Sequence, residues 1–208
     1  MTDFESGTVT SIDSLRTLYA QPIERIAKKH LDHVNEAGRA FIAASPFLVL
    51  ATGNRQALDC SPKGDQPGFV EVAEDGRTLF IPDRRGNNRI DGLKNLIDDP
   101  RIGLIFFVPG VDETYRVNGR ARICQDVKLK HRFAINGKEP ATVTVVTVEK
   151  TIEHCAKALV RSDLWKAGSR ARPQGVPTMG EFVAARNPGT DSAAFNAKYN
   201  ENIPRELY

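Results

Sequence analysis

The residues best suited to chemistry lie in the run TLFIPDRRGNN, residues 78–88, and in Arg89 just after it. Arg84, Arg85 and Arg89 supply guanidinium forks, and Asn87 and Asn88 supply neutral amide donors. An apolar, strand-like stretch at 78–81 leads into this turn through Pro82 and Asp83. A helical pattern follows, with Ile90, Leu93, Leu96 and Ile97 on one face. Donors gathered ahead of a helix N-terminus suit an anion, because free backbone N–H groups and the positive end of the helix dipole add to the side chains. The competing reading is a solvated, charged turn of little energetic weight.

Other reactive side chains form no comparable constellation. His154 and Cys155 are adjacent in sequence, so on a helix their side chains point apart and make no dyad. Cys155 is expected as a packed thiol and Trp165 as a core or interface residue. His30, His33 and His131 have no third ligand at metal-binding spacing, so no metal is expected. Arg161, Arg170 and Arg172 read either as a cationic flap over a ligand or as part of a solvated loop.

Periodicity supplies the frame around these residues. Residues 12–44 read as helical: a short amphipathic stretch with Ile12, Leu15 and Leu18, then a second helix opened by Pro22 and carrying Ile23, Ile26, Leu31 and Val34. Strands are expected at about 47–52, 57–61, 69–72 and 78–81, joined as hairpins by breaker-rich turns. A helix at 88–97 ends before Pro100, and an apolar strand at 102–108 follows. Alternation over 114–124 and the Val/Thr-rich run at 141–152 predict two long strands. Short helices close the chain. One internal helix among antiparallel strands is too few for a doubly wound sheet and favours a closed or nearly closed β-barrel.

Taken jointly, the segments DCSPKGDQPGFVEV, TLFIPDRRGNNRIDGLKNLIDDPRIGLIFFVPG and ETYRVNGRARI resemble the pyridoxamine 5'-phosphate oxidase-like family of FMN-binding split barrels. The resemblance spans residues 41–165. The tail EHCAKALVRSDLW looks like the end of a subgroup whose members are known mainly as FMN-binding proteins. The resemblance implies a mainly β protein: a six-stranded antiparallel split β-barrel with helical N- and C-terminal extensions. It implies a helical extension at 1–40, the barrel domain at 41–165, and a loop with terminal helices at 166–208 packed on the barrel or a dimer partner. It implies a homodimer with FMN at the protomer interface and redox chemistry at the flavin.

Position by position, the resemblance places the cofactor against Asp59, Cys60, Ser61 and Lys63, with backbone groups and Lys63 toward the ring edge or phosphate. It places Ile81 and Pro82 beside the flavin, and Arg84, Asn87, Asn88 and Arg89 at the phosphate. Where the family shows Ser-Arg-Lys this chain has Asn87-Asn88-Arg89, and where many members aim a glutamine at the ring it has Thr114. Lys63 reads equally as a cation for charge developing on the ring or as an exposed loop lysine. Ser61 reads as a phosphate donor or as a loop cap. The Arg- and His-bearing, Trp-rich end of the full oxidase is not found in residues 166–208, so pyridoxamine phosphate is not the expected substrate.

Composition narrows the function classes. The 208 residues suffice for a domain with a real core, and an apolar fraction of 40% with 26% charged residues is that of a soluble protein. No apolar run approaches a membrane span, and the acidic, polar start lacks the form of a secretory signal. Three scattered cysteines fit neither a disulfide framework nor a zinc site, so a reducing cytoplasm is expected. A net charge of +3, with Lys and Arg spread along the chain, argues against nucleic acid. The expectation is an FMN-dependent oxidoreductase acting on a small molecule, with a nicotinamide donor visiting transiently, since no GxGxxG fingerprint is present. The alternatives are a flavin-binding sensor without turnover, or a related barrel that takes heme or a deazaflavin.

Overall fold

The structure, a computed structural model, describes residues 7–166, 174–205 and 207. The chain divides after His30 into two compact units. The first carries α1 (Ile12–Leu18), capped by the Ser11 hydroxyl accepting from the Ser14 N–H, and the single turn α2 (Glu24–Ala27). Ile12, Leu15 and Leu18 are exposed on α1.

The long second helix expected to reach Val34 stops after that turn. Leu31 instead exchanges both backbone hydrogen bonds with Thr151, and the Thr151 hydroxyl donates to the His33 carbonyl. Arg77 holds Asp32 by an ion pair at 2.7 Å. Pairing to a strand outcompetes helical spacing here because it satisfies the same backbone groups and adds side-chain bonds. The next helix, α3 (Glu36–Ala44), opens where Asn35 Oδ1 accepts from the Gly38 N–H at 2.9 Å. Gly38 lies inside α3, although glycine is a poor helix former. It lets α3 lie against Tyr115, whose Oη would sit 2.3 Å from an added Cβ.

One antiparallel sheet forms the rest of the frame: β1 (Phe47–Gly53), β2 (Leu58–Gly64), β3 (Glu71–Val72), β4 (Thr78–Asp83), β5 (Arg101–Phe107), β6 (Thr114–Cys124) and β7 (Thr142–His154), in the order β2-β1-β5-β6-β7-β4-β3. The sheet has seven strands, not six, because Glu71 and Val72 pair with Phe80 and Leu79 as a separate two-residue ladder. No ladder joins β2 to β3 among the described residues, so the sheet stays open along one seam. The class is mainly β with helices, as expected. β2 runs on through Pro62 and Lys63, where sequence suggested a loop. It is an edge strand, and proline is tolerated there because its missing N–H interrupts no inner ladder.

Burial alternates along β1 and β5, whose Leu48, Leu50, Ile102, Leu104 and Phe106 face the core with Leu79, Ile81, Val117, Val146 and Val148. β7 is buried on both faces. Val143 and Val145 turn the other way, into a second cluster with Phe80, Phe133 and Leu129 under α5 (Val127–Arg132). That double burial explains the unbroken Val/Thr run. Between β4 and β5, α4 (Asp91–Asp98) packs on β1 through Leu96 and through Asn95 Nδ2, which donates to Thr52 Oγ1 at 3.3 Å. α6 (Lys157–Ser162) follows β7. The helices α7 (Met179–Arg186) and α8 (Ser192–Asn202) pair through the Gly180 N–H donating to Asn196 Oδ1 at 2.7 Å. No helix among the described residues is long and apolar enough to cross a membrane.

Candidate functional site

A cavity of about 550 Å³ lies between β2, the end of β4, the 84–90 turn and the start of α4. That is the size range of pockets that take one cofactor-sized ligand. Its apolar wall is Leu50, Ile81, Pro82, Leu93 and Leu96, and its polar end is the turn. Asp59, Ser61, Lys63, Ile81, Pro82, Arg84, Asn87, Asn88 and Arg89 all line it. Alternation along β2 places Asp59, Ser61 and Lys63 half-buried while Cys60 is exposed and lies outside the lining. Thr114 is also outside the lining: it is 4% exposed at the start of β6, opposite His154.

The turn holds two non-glycine residues in the left-handed region, Asn88 at φ 59° and Ile90 at φ 53°. Asparagine adopts this region readily, but a β-branched isoleucine does so only under constraint, a form of strain that clusters at ligand sites. Ile90 is also the N-cap of α4 and offers no side-chain acceptor, so the first turn of the helix is uncapped. Asp59 comes close to this point: a Cβ on Gly92 would lie 2.8 Å from Asp59 Oδ2. The Ser61 hydroxyl donates to the same oxygen. Gly92 therefore leaves room for the Asp59 carboxylate at the start of α4, and Ser61 is engaged with that carboxylate.

The cations are not equivalent. Lys63 Nζ lies 2.8 Å from Asp83 Oδ1, with both partly buried. Arg84 donates through Nε to Asp65 Oδ2 at 2.6 Å and through Nη1 to the Phe133 carbonyl at 2.6 Å. Its side chain is 16% exposed and that of Asp65 only 1%. Arg89 pairs with Asp91 at 2.7 Å near the surface, and its hydrogen bond holds the Asp91 carboxyl below the ordinary value. Arg85 is exposed, lines the cavity and has no carboxylate partner among the described residues. Four cations (Lys63, Arg84, Arg85, Arg89) thus face four acids in the lining: Asp59, Asp83, Asp91 and Glu139.

Sequence reasoning did not single out Leu50, Glu139 or Thr144, which reach the cavity from β1, from the turn before β7 and from β7 itself. Only strand order brings them together. Elsewhere, Cys155 is exposed where a packed thiol was expected. Trp165 is partly buried, with Nε1 donating to the Val111 carbonyl at 2.8 Å. Arg161 is exposed and away from the cavity, while Arg170 and Arg172 lie outside the described residues. No group of three metal-ligating side chains occurs among the described residues.

No curated protein matches the chain. Among solved structures it is similar to HupZ of Group A Streptococcus, at 17% identity over 58% of this chain and 93% of that one, with a TM-score of 0.47. It is similar to General Stress Protein 26 of Bacillus anthracis, at 15% identity over 55% and 88%, with a TM-score of 0.41. It is also similar to an F420 reductase, at 18% identity over 58% and 98%, with a TM-score of 0.40. The family model described as pyridoxamine 5'-phosphate oxidase matches residues 34–155, more than half of the chain. That span takes in all seven strands, the 84–90 turn and α4, and on it the chain belongs to the pyridoxamine 5'-phosphate oxidase-like family.

Proposed function

We propose that this protein binds FMN in the cavity at the 84–90 turn and works as an oxidoreductase on a small molecule. The observation that carries the reading is the cavity's polarity: an apolar wall of ring-sized reach ends at an uncapped helix N-terminus surrounded by Arg85, Asn87, Asn88 and Arg89. A planar, largely apolar ring with a phosphate tail has that same division. The donor set fits the phosphate, with Arg85 and Arg89 giving charge-assisted bonds and the two amides giving neutral ones. Lys63, held by Asp83, is the cation nearest in kind to one that would steady negative charge on the ring. When bound, FMN supplies hydride and electron transfer; the chain's own residues bind, orient and exclude water.

Heme is the weaker reading. Among the described residues, the cavity lining contains no imidazole, thiol, thioether or phenol to serve as an axial ligand. Homodimerisation belongs to the same proposal. The outer side of β1 and β5 leaves Phe47 38% exposed with its ring 6.1 Å from that of Phe107, and half-buried Val49 and Ile105 lie beside them. An apolar strand face of this kind is what a second copy would cover.

The absorption spectrum of the purified protein tests the flavin. Maxima at about 375 and 450 nm, and FMN in the heat-released supernatant by mass spectrometry, are the expected result for this cofactor. A colourless protein that takes up no added FMN ends the proposal. Anaerobic bleaching by NADH or NADPH separates an enzyme from a passive flavin binder, and light scattering of the purified protein reads the dimer.

A further inference from the structure

Thr144 is 3% exposed, lines the cavity and makes no side-chain hydrogen bond among the described residues. It lies opposite Ile81 on β4 and Ile123 on β6, so it faces inward on a strand whose other inward residues, Val146 and Val148, are apolar. Two residues nearer the polar end, Thr142 is opposite Asp83, and its hydroxyl oxygen is buried without a partner. A buried hydroxyl with no acceptor costs stability that a valine of the same shape would not. This strand already uses valine at positions 143, 145, 146 and 148. The hydroxyl at 144 therefore has a use that packing does not supply.

We infer that Thr144 is a specificity residue of the cavity, hydrogen bonding a polar atom on the edge of the bound ring system. The inference rests on the flavin reading given above and deepens it. Depth separates this contact from the phosphate. The 84–90 turn begins just after Asp83, and Thr144 is two residues further from it than Thr142, about 7 Å deeper at the rise of an extended strand. Ile81 lies opposite it, and Leu50 and Leu96 line the same cavity, an apolar setting that suits a ring and not a dianion. A heteroaromatic ring that carries carbonyl or ring-nitrogen acceptors, or an N–H, can pair with this hydroxyl; a purely hydrocarbon ring leaves it orphaned.

The test uses apo protein and three variants, Thr144→Val, Thr144→Ser and Thr144→Ala, titrated with FMN and with riboflavin, which carries the same ring without the phosphate. Thr144→Val should weaken both flavins by the same factor, about 3- to 10-fold for one neutral hydrogen bond. Thr144→Ser should keep wild-type affinity, and should bind more tightly than Thr144→Ala even where the valine variant does not fold. Unchanged affinity for both flavins in Thr144→Val or Thr144→Ala overturns the inference and leaves the flavin reading standing. Loss confined to FMN places the contact at the phosphate and overturns it too. Wild-type protein that binds neither flavin removes the flavin reading itself, and the inference with it.

Discussion

Arg84 and Arg89 stand at the two ends of one turn and differ in almost every physical respect. Arg84 is largely buried, spends Nε on a carboxylate that is itself 1% exposed, and reaches with Nη1 to the Phe133 carbonyl beyond α5. Arg89 is 74% exposed, pairs with a neighbour two residues away, and sits between two left-handed residues at an uncapped helix start. The first fastens the turn to the loop after β2 and to the segment after α5. The second is held by little and keeps donors for something else. Residue type and spacing made them look alike; burial and partners set apart an anchor and, on the function proposed above, a grip.

The largest effect should come from breaking the anchor. Arg84→Ala takes the guanidinium away from the buried Asp65 carboxylate and from the Phe133 carbonyl, and removal of one partner of a buried pair costs about 3–5 kcal/mol. Denaturant unfolding should show that loss, with the flavin lost as a consequence. The double variant Arg84→Met with Asp65→Leu should recover much of the stability, because it leaves no charge uncompensated. If Arg84→Ala instead unfolds like wild type and loses only FMN, Arg84 belongs to the grip and the division is wrong.

Next in size is the grip. Arg85→Ala together with Arg89→Ala should leave the unfolding midpoint unchanged and weaken FMN by about 100-fold or more, at the worth of two charge-assisted hydrogen bonds. Riboflavin affinity should hardly move. Fluorescence titration of both flavins reads the contrast directly, and equal loss for both would show that these guanidiniums do not hold the phosphate.

The same contrast marks what a sequence can reveal. The turn was legible because its donors are contiguous and the apolar strand and helix on either side are periodic over several residues. The strands at 47–53, 101–107 and 114–124 were legible for the same reason. Partners far apart in the chain were not. Nothing local pairs Asp65 with Arg84 or Lys63 with Asp83, since β2 and β4 lie on opposite sides of the open seam. Nothing local marks Thr144 within a Val/Thr run whose two faces are both buried. The failed helix at 31–34 belongs here as well: Leu31 and Val34 have helical spacing, and only the distant edge at Thr151 draws the backbone out.

The smallest effect concerns acid. Asp91 has its pKa lowered by the Arg89 hydrogen bond, and exposed Asp32 and half-buried Asp99 are held at about 2, chiefly by hydrogen bonds from His33 and Arg101 respectively. For a carboxylate depressed in the folded state, the stabilising contribution is complete above its unfolded value near 3.8 and is lost as pH falls through the lower folded value. These surface pairs should therefore give no slope in the unfolding midpoint between about pH 5 and pH 8, and a shallow fall below about pH 4. Asp91→Asn should remove its share of that fall by lowering the neutral-pH plateau by the same small amount, leaving stability at low pH unchanged. A neutral-pH loss in Asp91→Asn well beyond the size of the acid fall, approaching that of Arg84→Ala, would mean that the Arg89 pair fastens the turn after all, and the anchor would then have two ends.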